Sequence, residues 1–437
     1  MNKPICVLQC PIFTRSGYGD WSLAVAKSIL RYDKYNLIIS PTPWGNTPRK
    51  ITINEIDQTD TEAIELFNRI LKSPLTQQPD LFIQITIPNE FQAIGKYNIG
   101  ITAGIETTIP LGEWIEGLNK MNFNIVTSKF TKQVFEEAKF VKNYPDGRQE
   151  ALNSTKPMEV CFWGADTNIY KKTDQKIESV EEVMTQIPEK FAFLFVGAWT
   201  NLQNPFADRK DIGNLIKTFC TAFKDKKGDL PCLILKTNGV NFSKPDKELC
   251  LSRIKHIQSL VGGKVPNVYL LHGELSDVEM NALFNHDKIK AHLSFTHGEG
   301  FGHPLLLSTL SGKPVIASKW SGHLDFLNPQ YATYFEGNVQ QIDPAAVNQW
   351  LVKEGSWFNV AYSLAEDKLR TLYYSNNTAL ADNAEKLRLE NSEKFSMAEM
   401  DKVLHSYLDK YVPEFSVEKK IILPKLPKKI EFPKVVS

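Results

Sequence analysis

Short apolar runs separated by amphipathic stretches recur along most of the chain. The runs at residues 3–9, 35–40, 81–87, 97–102, 124–127 and 158–162 are strand-length and predict buried β-strands. Between them, helical spacing predicts helices at 22–30, 61–71, 114–121 and 132–139, the last with Ser128 as its N-cap. Pro, Asn, Thr and Asp over 42–60, and the polar stretch 144–156, predict loops. A second cycle opens with FAFLFV at 191–196 and continues with strands at 233–237, 268–271, 291–295 and 314–318. Its helices are expected at 212–223, 247–260, 278–285 and 305–310, and Ser276 with Glu279 gives a capping-box signature before the third. The stretches 350–362 and 380–411 read as closing helices. Strand–helix alternation on this scale predicts an α/β protein with parallel sheets.

Length makes one core too few. At 437 residues, with 42% hydrophobic and 23% charged, the chain is expected to form a domain at 1–170, a second at 171–385, and a C-terminal helix with a basic tail at 386–437. No run of about 18 apolar residues predicts a membrane span. The first apolar run is short and soon meets Pro11 and Arg15, so it reads as a strand and not a leader. Six scattered cysteines, several in apolar runs, fit a reducing cytoplasm and argue against structural zinc. A net charge of +1 supplies no field to gather nucleic acid. The local exception is the tail at 411–437, where Lys419, Lys420, Lys425, Lys428, Lys429 and Lys434 alternate with Pro413, Pro424, Pro427 and Pro433. It is expected to pack back on the body as an extended arm with its lysines in water.

Candidate chemistry lies at the carboxyl ends of the predicted strands, where open parallel sheets bind ligands. Residues 296–316, THGEGFGHPLLLSTLSGKPVI, surround one carboxylate, Glu299, with Gly298, Gly300 and Gly302, a pattern suited to close approach of a phosphorylated or sugar ligand. FTRSGYGDW places Gly17 and Gly19 between the first strand and first helix, and Gly104 and Glu106 follow the 97–102 strand. Arg209 and Lys210 precede the 212–223 helix, a phosphate-binding corner. No Asp-x-Asp metal motif stands in such a setting.

In order, FVGAW, RKDI, VYLLHGEL and EGFGHPLLLSTLSGKPVIAS, over roughly residues 190–330, resemble the donor domain of family 4 glycosyltransferases of the GT-B fold. The first half is similar more loosely, through its glycine loop, IVTSKFTKQVF and WGAD, and TRSGYGDW also resembles glycosyltransferases of tailed phages. The resemblance implies two Rossmann-like domains facing across a cleft, the N-terminal one on the acceptor side and the C-terminal one binding the donor, with the C-terminal helix crossing back. It implies transfer of a hexosyl or pentosyl group from a nucleotide sugar, such as a UDP-sugar, to an acceptor hydroxyl. Retention of configuration, independence of metal, no cofactor beyond the donor substrate, and a cytoplasmic setting (the host cytoplasm for a phage protein) go with it.

Carried over residue by residue, the resemblance gives Glu299 the hydroxyls of the transferred sugar, Lys210 the diphosphate, and Glu106 a polar role near the reacting carbon. Gly300, Phe301 and Gly302 would offer amides to sugar and phosphate, Gly273 and Glu274 would flank the base, and Gly17 and Gly19 would face the diphosphate. Two departures stand out. The family's second Glu, which holds the ribose, is Leu307 here. Its Arg is missing from GAWT, and Arg209 would replace it from another backbone position. The acceptor stays open among a glycan, a protein and a hydroxymethylated DNA base, which would be flipped from its duplex. A sugar-nucleotide epimerase of the same fold is disfavoured by EGFG; an inactive binding protein is allowed by Leu307.

Overall fold

The structure is a computed structural model that describes residues 3–239, 241–375 and 378–415. In chain order the strands are β1 (Ile5–Cys10), β2 (Asn36–Pro41), β3 (Leu81–Ile85), β4 (Tyr97–Thr102), β5 (Phe123–Val126), β6 (Lys139–Asn143), β7 (Gln149–Asn153) and β8 (Met158–Val160). They continue as β9 (Ala192–Val196), β10 (Cys232–Lys236), β11 (Val268–Leu271), β12 (Ile289–Ser294), β13 (Val315–Ser318), β14 (Thr333–Phe335), β15 (Gly337–Gln341) and β16 (Ser356–Val360). Two six-stranded sheets carry the fold, ordered β2-β1-β3-β4-β5-β8 and β11-β10-β9-β12-β13-β14, and every pairing within them is parallel. Helices cover their faces, which is why β3 and β5 are buried along their whole length. In each sheet the order reverses beside the first strand entered, at β1/β3 and at β9/β12, the point at which open parallel sheets place a ligand crevice.

The C-terminal helix Met397–Tyr411 returns to the first sheet. Met400, Leu404 and Leu408 form one buried stripe that enters the core of the N-terminal unit beside the helix Gly17–Tyr32. Arg31 Nε pairs with Asp401 at 2.7 Å, and Tyr411 stacks on Phe123 with centroids 4.1 Å apart. The crossing is stitched by backbone: Ala165 N donates to Phe395 O and Met397 N to Ala165 O, each at 2.8 Å. The expected helix at 380–411 is therefore two, Thr378–Lys394 and Met397–Tyr411, because Ser396 leaves helical geometry to cap the second through Glu399 N. Val412 and Phe415 continue packing on this core, and the tail lysines lie at 419–434, outside the described residues.

Two other expectations change. The polar stretch 144–156 lies largely in the β6–β7 hairpin, turned at Gly147 with φ +86; its strands are mostly exposed, so no apolar alternation marked them. Residues 350–362 hold β16, antiparallel to β15, and the next helix starts only at Tyr362. Burial of Trp357, Phe358 and Val360 decides for strand. All six cysteines are buried and free, and no described helix is long and apolar enough to cross a membrane. Because Leu404 is 1% exposed, Leu404→Ala is expected to lower the unfolding free energy by about 2–5 kcal/mol, read by denaturant titration of the full chain.

Candidate active site at the domain junction

The loop after β12 leans onto the N-terminal unit so closely that only glycine fits. A Cβ on Gly298 would stand 2.5 Å from Glu106 O, and one on Gly300 would stand 2.6 Å from Ala103 O. The seam is tied by Thr127 Oγ1, which donates to Gly300 O at 3.2 Å, and by Lys129 N, which donates to Asp325 Oδ2 at 2.9 Å. Phe130 meets Trp320 edge to face. Gly302 then takes a left-handed φ of +87 and starts the helix His303–Thr309.

Within this seam Glu299 is 6% exposed. Its amide donates to Ser321 Oγ at 2.8 Å; its carboxylate takes Lys210 Nζ at 2.5 Å and Arg209 Nη1 at 3.4 Å. Arg209 also donates to Gly298 O and reaches Glu106 Oε1 at 3.3 Å, so two cations and two carboxylates from both units form one chain. The flanking acids hold the cations in place. Asp208 accepts from Thr200 N and Oγ1, Asn201 N and Lys210 N. Asp211, at φ +54, accepts from Tyr362 Oη and Asn214 Nδ2. Burial by itself would raise the pKa of Glu299, but Lys210 and Arg209 outweigh it and hold the value down at about 2. Burial raises Asp208 and Asp211.

The other expected residues fall around this chain in different ways. Gly17 opens the helix Gly17–Tyr32 beside Trp163, on the cleft side. Gly19 answers to its own loop: a Cβ there would lie 2.2 Å from Thr14 O. Between them Tyr18 accepts from Ala103 N at 2.9 Å and stacks on Trp44. Gly273, at φ +130, accepts from Lys236 Nζ at 2.6 Å, and Glu274 pairs with Arg15 of the glycine loop across the cleft. Phe301 packs its ring on Phe326 in the core, which leaves only its backbone to a ligand. Leu307 packs against the same apolar cluster. Arg15, Lys236 and the Trp163–His303 stack (3.6 Å, 7°) were missing from the sequence reading. Arg15 had a signal, a cation inside a glycine loop, and so did Lys236, a charge closing an apolar strand at its carboxyl edge. Among the described residues no group of three or more His, Cys, Asp or Glu is placed to hold a metal ion.

In sequence the chain matches no family model and no curated protein. In structure it resembles HepE of Anabaena, solved in complex with UDP-glucose, over 93% of this chain and 100% of that one, at 12% identity and a TM-score of 0.60. It also resembles the E. coli trehalose-6-phosphate structure bound with UDP-2-fluoro glucose (94% and 100% covered, 10% identity, TM-score 0.58). A glycosyltransferase from Rickettsia africae matches over 94% and 99% at 13% identity, with a TM-score of 0.57.

The chain has the GT-B fold. In GT-B terms the Glu106–Arg209–Glu299–Lys210 chain stands between the facing carboxyl edges of the two sheets, where β4, β9 and β12 end. A depressed carboxyl pKa stabilises the fold above its unfolded value near 4.5 and ceases to do so as pH falls through about 2. The stability gap between the parent and Glu299→Gln is therefore expected to be full above pH 5 and to close between pH 5 and 2, as read by thermal melts across that range.

Proposed function

We propose that this GT-B protein transfers a sugar from a nucleoside-diphosphate sugar to an acceptor hydroxyl. The observation that carries the reading is the ion chain itself: a carboxylate held ionised beside two cations, buried where the two sheets face each other. UDP-sugars bound to structural neighbours of the same fold support a UDP-sugar as donor. In this reading Glu299 accepts hydrogen bonds from the hydroxyls of the transferred sugar and fixes its ring. Lys210, released from Glu299, moves to the diphosphate. Arg209 lies between Glu299 and Glu106 and balances charge as the phosphate leaves, the electrostatic contribution that dominates many group transfers. Arg15 and Lys236, each held by a group of the opposite wall or strand edge, are further cations the diphosphate can recruit. Charge neutralisation by side chains makes the transfer metal-independent, and the family 4 resemblance assigns retention of configuration. Glu106 supplies a polar group near the reacting carbon.

Leu307 lies against the apolar core, so the ribose is held without the family's second carboxylate. A net charge of +1 favours a glycan or protein hydroxyl as acceptor over a duplex. With a panel of UDP-sugars, Glu299→Ala and Lys210→Ala are each expected to lower turnover about 100-fold or more. Turnover near the parent's in both variants would refute the site. Duplex binding that falls steeply with salt would move the acceptor to a hydroxymethylated base; a shallow or absent dependence is expected.

A further inference from the structure

A second polar cavity, of about 590 Å³, lies beside the ion chain, between the β15–β16 hairpin and the first turn of the helix Ile212–Phe223. Its deepest polar group is His297, 4% exposed and stacked on Trp357 with centroids 4.2 Å apart. His297 Nδ1 lies 2.7 Å from Phe358 O, an atom that only accepts, so Nδ1 carries the proton. Burial holds the ring neutral, with its pKa down at about 4. Nε2 is then a lone pair. Among the described residues it has no hydrogen-bond partner, and Asp211 Oδ1, 3.8 Å away, already accepts from Asn214.

A free imidazole lone pair on the lining of a polar cavity is satisfied by a hydroxyl that donates. The rest of the lining suits the same guest. Asn359 Nδ2 donates to Gln340 Oε1 at 2.9 Å, which leaves the Gln340 Nε2 donor and the Asn359 Oδ1 acceptor for sugar hydroxyls, and Phe206 offers an apolar ring face. No lysine or arginine lines the cavity among the described residues, so it lacks the charge a phosphate or nucleic acid needs.

We propose that this groove is a second binding site, for a neutral oligosaccharide, distinct from the cleft that holds Glu299. His297 Nε2 accepts a hydroxyl at its floor and the amides of Gln340 and Asn359 grip the next sugar at its rim. The proposal stands on the groove's own chemistry, so it and the donor reading can fail separately.

The test is ligand-observed NMR of the full chain with maltotriose, cellotriose and chitotriose, each with and without UDP, whose own binding is titrated in parallel. At least one trisaccharide is expected to bind with UDP present. Asn359→Leu, at the rim, is expected to weaken that trisaccharide about tenfold, the loss of one hydrogen bond, and to leave UDP binding unchanged. His297→Phe keeps a ring on Trp357 but removes the lone pair, and should weaken it at least as much. The proposal is overturned if none of the three binds, if UDP displaces the one that does, or if both variants bind it as tightly as the parent.

Discussion

The junction of this molecule depends on one ion chain, Glu106–Arg209–Glu299–Lys210, with Glu299 buried and the other three partly buried. Its members come from both sheets, and none could be buried alone: taking an unpaired charge out of water costs several kcal/mol, and removing one partner of a buried pair costs about 3–5 kcal/mol. The surrounding loops are built to keep the set complete. Asp208 and Asp211 fold the 200–211 loop so that Arg209 and Lys210 both reach Glu299, and Ser321 fixes the Glu299 backbone. A chain balanced in this way also has a chemical use. A ligand carrying both hydroxyls and negative charge can exchange places with its members, hydroxyls going to the carboxylate and phosphates to the cations.

Close approach is the second constraint, and it follows from the first. Arg209 spans Glu299 and Glu106 only because the loop after β12 comes within contact of the end of β4, and a side chain at Gly298 or Gly300 would hold the two apart. The glycines of the EGFG loop are thus required by the joining of two domains as well as by ligand approach. Gly19 is the contrasting case. Its lack of a side chain is used within its own loop, against Thr14 O, so glycine in a candidate binding loop does not by itself identify a ligand contact.

The β15–β16 hairpin links these features to the second groove. Phe358 N donates to His297 O, and His297 N donates to Arg209 O, so the hairpin, the floor of the groove and the loop that carries Arg209 share one backbone network. The hairpin also reaches the N-terminal unit through Ser356 and Thr108, which bond in both directions. A segment expected to be helical is therefore a brace between the two halves.

Much of this was legible in the chain itself. Runs such as FAFLFV and LFIQI are apolar on both faces, as in a covered parallel sheet, and their repeated alternation with helices left few architectures open. Glu299, Arg209 and Lys210 could be singled out because glycines and a helix start surround them, and such local signals survive without knowledge of the fold. The sequence could not decide contacts that depend on distance through space: Arg15 with Glu274, Glu106 with Arg209, or His297 Nε2 beside Asp211. Nor could it decide the strand at 356–360, where Trp357, Phe358 and Val360 suit either structure until the hairpin partner is in place. Periodicity and glycine placement act over a few residues, so sequence determined most strands of the two large sheets and the glycine loops that follow them. Pairing of charges and burial of polar atoms act between segments far apart in the chain, so only the tertiary structure decided what those loops hold.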